Sequence, residues 1–96
     1  MIGQKVAGKK AKSLIDKGAV LVDVRSPVAY RDGTLPGAIN LSLRQLSQLN
    51  SKPKTTPIIL FGESDDDPTL KSAINYVNLY GFDKVYSLGT KENWEK

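Results

Sequence analysis

A chain of 96 residues that is 40% hydrophobic and 25% charged predicts one globular domain around a single modest core. It contains neither cysteine nor histidine, which excludes thiolate nucleophiles, disulfides, Ser–His–Asp and Cys–His catalytic groups and metal sites built on those residues. The net charge is +4, and residues 1–17 account for it, with five lysines against one aspartate, whereas residues 63–67 carry −4.

The lysine-rich N-terminal segment is interpreted as the solvated face of a helix and not as a nucleic-acid surface, because no aromatic side chains interleave the lysines. The longest apolar runs are far too short to span a membrane, and the lysines are not followed by the apolar stretch of a secretory signal. We therefore expect a cytoplasmic protein with neither membrane nor nucleic-acid partners.

Helix and strand patterns alternate in the first half of the chain. Apolar residues at helical spacing predict a helix over 7–17, which Gly18 ends. The valine-rich run 19–24 is typical of a strand buried on both faces. A helical turn at 27–31 and a short strand at 38–41 follow, and Ser42 is positioned to cap a short helix over 43–49.

The second half repeats the alternation. The apolar run 58–61 predicts a strand, and Leu70, Ala73, Ile74 and Val77 at helical spacing predict a helix that ends before Gly81. A last strand is predicted at 84–88. Strands separated by helices form βαβ units, so the fold class is α/β with a small, mostly parallel sheet of about five strands and helices on both faces, spanning residues 1–96 as one domain.

The loop between the strand 58–61 and the helix that begins at Pro68 draws attention because of its charge. A tight strand–loop–helix turn at the carboxyl end of a parallel strand offers backbone N–H groups and a positive helix end to an anion. This loop nevertheless contains its own carboxylates; its residues are Gly62, Glu63, Ser64, Asp65, Asp66 and Asp67. Asp67 followed by Pro68 is typical of an N-cap and a first helical position.

Several spaced motifs together resemble a rhodanese domain. The stretch LVDVRSPVAYRDGTLPGAIN, residues 21–40, is similar to the family's opening, which reads LVDVR-x-P-x-x-Y-x-x-G-H-I-P-G-A-I-N. The stretch GFDKVYSLG with the later Trp94 is similar to its closing pattern. The resemblance covers roughly residues 10 to 94 and implies a rhodanese-like fold, in which the strand containing Asp23 lies beside the strand that ends at Gly62.

The same resemblance implies a chemistry that this chain cannot carry out unaided. Family members transfer a sulfane sulfur through a cysteine persulfide, held by loop N–H groups and a helix N-terminus. The cysteine position falls on Gly62, an arginine found late in the loop of many members falls on Asp67, and the motif histidine falls on Thr34. Asp23 and Arg25 match the family's D-x-R pair, and their expected role is structural support; the family's strand order would also place Arg25 within reach of an acid of the loop.

We therefore predict a catalytically inactive rhodanese-like domain that binds an unknown protein partner or small ligand, or acts in regulation, at residues 62–67. No catalytic residue, metal or cofactor is assigned. Two alternatives stay open: a metal-dependent enzyme that uses the acidic loop, since carboxylates suit Mg²⁺ and Ca²⁺, and sulfur transfer with a cysteine supplied by a partner. Ser64 is interpreted as a turn hydroxyl, because no histidine is present to activate it.

Overall fold

The computed structural model describes residues 3–96, which form an α/β fold with a five-stranded sheet. The strands are β1 (Gln4–Lys5), β2 (Val20–Asp23), β3 (Ile39–Asn40), β4 (Ile58–Gly62) and β5 (Val85–Thr90). Their order in the sheet is β1-β5-β4-β2-β3, and each of the four pairings is parallel. The helices are α1 (Gly8–Asp16), α2 (Pro27–Asp32) and α3 (Pro68–Leu79), with 3₁₀ helices at Leu43–Ser51 and Lys91–Glu95.

The two central strands, β2 and β4, have their apolar side chains buried on both faces of the sheet. Val22, Ile58 and Leu60 point into a cluster with α3 and the first 3₁₀ helix. Leu21, Ile59 and Phe61 alternate with them and point into a second cluster beneath α1 and Trp94. Burying each such side chain stabilises the fold by roughly 1.5–3 kcal/mol. The two clusters therefore hold β2 and β4 in their parallel pairing, in which Asp23 lies next to Phe61 at the carboxyl ends of the strands.

Two predicted elements differ in detail from the structure. The segment predicted as a short helix over 43–49 is a 3₁₀ helix over Leu43–Ser51. Its leucines at 43, 46 and 49 recur every third residue, which matches the three residues per turn of a 3₁₀ helix. The last strand runs past Leu88 to Thr90, because the pairing of β5 with β4 shifts register there: Leu60 pairs with Ser87 and Phe61 with Gly89. This bulge, with Gly89 at φ +86°, bends the strand and lets pairing continue.

Strand β1 lies outside the four strand positions that the sequence patterns predict, although a sheet of about five strands is expected. Its two residues are polar and exposed, so the sequence shows no alternation of apolar and polar residues that would predict a strand there. It adds to the sheet because Gln4 and Lys5 pair with Tyr86 and Ser87 on the open edge of β5. Within residues 3–96 no helix is both long enough and apolar enough to cross a membrane.

Candidate functional site

The acidic loop lies at the carboxyl end of β4, and its last residue turns back into it. Asp67 is the N-cap of α3: the Thr69 N–H donates to Asp67 Oδ1 at 2.9 Å, and the Glu63 N–H donates to Asp67 Oδ2 at 2.9 Å. A Cβ atom at Gly62 would lie 2.5 Å from Asp67 Oδ2 and 3.2 Å from Leu70 Cβ. The Asp67 carboxylate thus fills the space beside residue 62 and satisfies donors at both ends of the loop.

The other acids of the loop point elsewhere. Asp65 Oδ1 accepts a hydrogen bond from Asn93 Nδ2 at 3.2 Å, and Asp65, like Glu63, Ser64 and Asp66, is exposed. In the part of the chain that the structure describes, no group of three or more acidic side chains is placed to hold a metal ion. The geometry therefore gives no support to the metal-dependent alternative, because an oxygen-ligated cation needs several carboxylates that converge on one point.

Asp23 and Arg25 form a buried ion pair at the end of β2. Arg25 Nη2 lies 2.8 Å from Asp23 Oδ2 and Arg25 Nε lies 3.0 Å from Asp23 Oδ1. Asp23 is completely buried, and it also accepts hydrogen bonds from the Arg25 N–H at 2.9 Å and from the Thr34 hydroxyl at 2.8 Å. Such a carboxylate is tolerable in the core because every oxygen has a donor, one of which is charged.

Arg25 braces the neighbouring loop and bonds no acid of residues 62–67, contrary to the expectation that it would reach one of them. Its Nη2 also donates to the carbonyl of Gly33 at 2.7 Å, and its guanidinium lies 5.7 Å from the centre of the Phe61 ring, within cation–π range. Hydrogen bonding to Asp23, and then the charges of Asp23, Glu63 and Glu92, raise the pKa of Arg25 against the opposing effect of burial. Arg25 is thus a fixed cation whose Nε and Nη2 groups are already engaged in hydrogen bonds.

Several residues around this site carried no strong sequence signal for the contacts they make. Lys91 Nζ donates to the Gly33 carbonyl at 3.3 Å, beside Arg25. Asn40 Nδ2 donates to the carbonyls of Asp23 and Arg25 at 3.0 and 2.9 Å, and the Tyr30 hydroxyl donates to the Ala38 carbonyl at 2.9 Å. The Lys91 and Asn40 contacts join residues at least 15 positions apart, which only the fold brings together, whereas Tyr30 and Ala38 are 8 positions apart.

The chain matches known proteins over most of its length. Residues 8–96 match the rhodanese-like domain family. The chain belongs to this family. It is similar to the thiosulfate sulfurtransferase GlpE of Pseudomonas entomophila, with 30% identity over 96 residues that cover 95% of this chain and 84% of the relative.

Two further similarities come from a longer protein and from a solved structure. The tRNA 2-selenouridine synthase of Cronobacter sakazakii is 54% identical over 33 residues, which are 34% of this chain and only 9% of that protein. The crystal structure of a rhodanese-like domain from Anabaena sp. superposes with a TM-score of 0.68 at 28% identity, covering 80% of this chain and 90% of that one. The rhodanese-like fold with its five-stranded parallel sheet is therefore established.

Membership in the family bears on the interpretation of Gly62. The sequence resemblance predicts that Gly62, the last residue of β4, stands at the family's cysteine position, and the chain has no cysteine. The Asp67 carboxylate lies in the space that a side chain at residue 62 would use. The ion pair and the hydrogen bonds that hold the surrounding loops are nevertheless in place.

Proposed function

We propose that this rhodanese-like domain has no sulfurtransferase activity of its own and that its former active-site loop, residues 62–67, has a binding or regulatory role. The observation that carries the proposal is the position of Asp67 Oδ2, 2.5 Å from where a side chain at residue 62 would begin. Persulfide chemistry needs a thiolate at that point, stabilised by the loop N–H groups. Here the Asp67 carboxylate, which cannot accept a sulfur atom, accepts hydrogen bonds from the Glu63 and Thr69 N–H groups.

The chain lacks the cysteine nucleophile but keeps the contacts that support the loop. This combination favours a role for the loop surface other than catalysis. The Asp23–Arg25 pair still braces the loops next to residue 62. Glu63 and Asp66 project from the loop into solvent, and beside Asp65 lies a cleft of about 300 Å³. An exposed loop on a rigid scaffold next to a cleft is an arrangement that proteins use for recognition. A protein partner or a small ligand would meet this surface.

The names of the relatives do not transfer their activities. The similar GlpE proteins are thiosulfate sulfurtransferases, and the similar synthase is matched over 9% of its length. The present domain lacks the sulfur-carrying residue that a sulfurtransferase reaction of this kind requires. Sulfur transfer with a partner's cysteine would also need the space beside residue 62, which Asp67 fills.

A two-part experiment tests the proposal. In a thiosulfate:cyanide assay of the purified domain we expect thiocyanate formation at the uncatalysed rate; turnover clearly above it would reject inactivity. For binding, the immobilised domain is incubated with native extract, and quantitative mass spectrometry compares it with a Glu63→Gln/Asp66→Asn variant. The matched control is Glu95→Gln/Asp16→Asn, which removes the same number of exposed negative charges away from the loop.

Each outcome of the binding test has a defined meaning. We expect at least one protein whose recovery falls about ten-fold with the loop variant and is unchanged with the control, a difference of about 1.4 kcal/mol. Recovery that is equal with both variants would contradict a binding role of the loop. A rise in melting temperature with Mg²⁺ or Ca²⁺ would favour the metal-dependent alternative, and a persulfide formed on a partner's cysteine only in complex with the domain would favour partner-supplied sulfur transfer.

A further inference from the structure

We infer that Asn93 is a positioning residue that couples the former active-site loop to helix α1 through the C-terminal 3₁₀ helix. The coupling rests on contacts within the chain and holds whatever the loop binds. Asn93 Nδ2 donates to the Leu88 carbonyl at 2.7 Å and to Asp65 Oδ1 at 3.2 Å. One amide group thereby ties the 3₁₀ helix Lys91–Glu95 both to β5 and to the middle of the acidic loop.

Gly89 makes this arrangement sterically possible. A Cβ atom at Gly89 would overlap Asp65 Oδ1 and would lie 2.9 Å from Asn93 Nδ2. Its φ of +86° is a conformation that residues with side chains rarely adopt. Gly89 thus provides both the bulge in β5 and the bare backbone against which Asp65 packs. The loop is held at two points: its middle by Asn93 and its end by Asp67.

The other side of the same 3₁₀ helix packs tightly against α1. A Cβ atom at Gly8 would overlap the backbone of Trp94, so the two backbones are in direct contact. The Lys9 N–H donates to the Lys96 carbonyl at 3.1 Å, and Lys12 Nζ lies 4.9 Å from the centre of the Trp94 ring. Asn93 therefore bonds the loop on one side of this 3₁₀ helix, and Trp94 and Lys96 contact α1 on the other.

Movement of the acidic loop must then affect α1, and movement of α1 must affect the loop. Displacing the loop breaks or strains the bond between Asp65 and Asn93, and thermodynamic linkage requires the effect to be reciprocal. The coupled surfaces are opposite in charge, because the loop carries −4 whereas α1 carries three lysines against one aspartate. A ligand that reorganises the acidic loop would thereby alter the environment of Trp94 and of the lysine-bearing helix.

The chain's only tryptophan is Trp94, so its fluorescence reports on the coupled segment without interference. The experiment measures acrylamide quenching of Trp94 and amide hydrogen exchange of α1 and residues 63–67 in four variants of the full chain: Asp65→Ala, Asn93→Ala, the double variant that combines these two changes, and Asp66→Ala. Asp65→Ala removes one bond to Asn93, and Asn93→Ala removes both bonds made by its amide. Asp66→Ala is the matched control, since it removes the adjacent exposed carboxylate.

We expect Asp65→Ala to speed exchange of α1 amides and to increase Trp94 quenching by about two- to three-fold, and Asn93→Ala to increase both further, within the roughly ten-fold that one or two hydrogen bonds allow. Asn93→Ala should also speed exchange of the loop amides. The double variant should resemble Asn93→Ala alone, since both changes break the same bond. The inference is overturned if Asp65→Ala leaves Trp94 and α1 as the Asp66→Ala control does, or if Asn93→Ala leaves the loop amides unchanged.

Discussion

The carboxylate of Asp67 lies where a side chain on residue 62 would begin, with Asp67 Oδ2 2.5 Å from the position of a Cβ atom at Gly62. The loop that we predict to correspond to the family's sulfur-binding loop holds a carboxylate of its own chain. This relationship explains why an acidic loop can follow β4 next to a helix N-terminus: the closest carboxylate is a cap, hydrogen-bonded to Glu63 and Thr69.

Removing the cap should destabilise the domain. We expect Asp67→Ala to lower the free energy of unfolding by about 1 kcal/mol, within roughly 0.5–2 kcal/mol, because two backbone N–H groups lose their acceptor. Urea melts at neutral pH measure this. The exposed Asp66 provides the control, and Asp66→Ala should change stability by less than about 0.5 kcal/mol. Equal losses in the two variants would contradict a specific capping role for Asp67.

The two residues should be energetically coupled. Gly62→Ala alone should be destabilising by about 1 kcal/mol, since its methyl group forces the Asp67 carboxylate away from its donors. In an Asp67→Ala background the same change should cost far less, leaving only the contact with Leu70 Cβ at 3.2 Å. A double-mutant cycle from urea melts should therefore give a coupling energy of about 0.5–1.5 kcal/mol. Strict additivity would show that Asp67 does not occupy this space.

A cysteine introduced at residue 62 should have a low thiol pKa only if the Asp67 carboxylate is replaced as well. In Gly62→Cys the new thiolate meets the acids of the loop, and nearby negative charge raises a thiol pKa. Adding Asp67→Arg should lower that pKa, because it replaces the nearest carboxylate with a cation. The pH dependence of alkylation by iodoacetamide measures both. Gly62→Cys with Asp16→Arg makes the same charge change on α1 and should keep the thiol pKa of the single variant; a shift as large as that with Asp67→Arg would refute a local effect.

The buried pair at the end of β2 should be sensitive to loss of one partner. Arg25→Leu leaves Asp23, which is fully buried, without its cation, and the expected loss is about 3–5 kcal/mol. Thr34→Val removes one hydrogen bond to the same carboxylate and should cost about 1–3 kcal/mol. Arg31→Leu, at an exposed arginine of α2, is the control and should be near neutral in urea melts. A mild Arg25→Leu variant would mean that Asp23 is not held mainly by this ion pair.

Glu92 should show a pH effect of known sign. A hydrogen bond from Thr90, one from its own backbone, and then the charges of Lys91 and Arg25 lower the pKa of Glu92 against the opposing effect of burial. A depressed folded-state pKa gives stability that is present above the unfolded value and is lost as pH falls through the folded value. NMR titration of the side-chain carboxyl carbon should give a pKa below that of an ordinary glutamate, and Thr90→Val should move it upward. An unchanged pKa in Thr90→Val would rule out the hydroxyl as the main cause.

Much of the fold follows from local patterns. The valine-rich run that became β2 and the run Ile58–Phe61 have too many consecutive apolar residues for a strand with one wet face, so a parallel sheet covered on both sides was predictable. Asp67 followed by Pro68 specifies a helix start through the capping preference of one residue and the fixed φ of the next. The absence of cysteine by itself excludes a thiolate at the end of β4, whatever the geometry.

Tertiary structure alone decided where the side chains of the loop point. A two-residue exposed strand such as β1 has no pattern of its own and exists because β5 offers it a free edge. Asp65 and Asp67 are the same residue type two positions apart, yet one bonds Asn93, 28 residues away, and the other turns back to the Glu63 N–H. Their difference comes from the bulge at Gly89 and from the empty volume at Gly62, which arise only once β4 and β5 pair. Sequence thus determines which charges the loop carries, while packing between distant segments determines which of them is an internal cap and which lie in solvent.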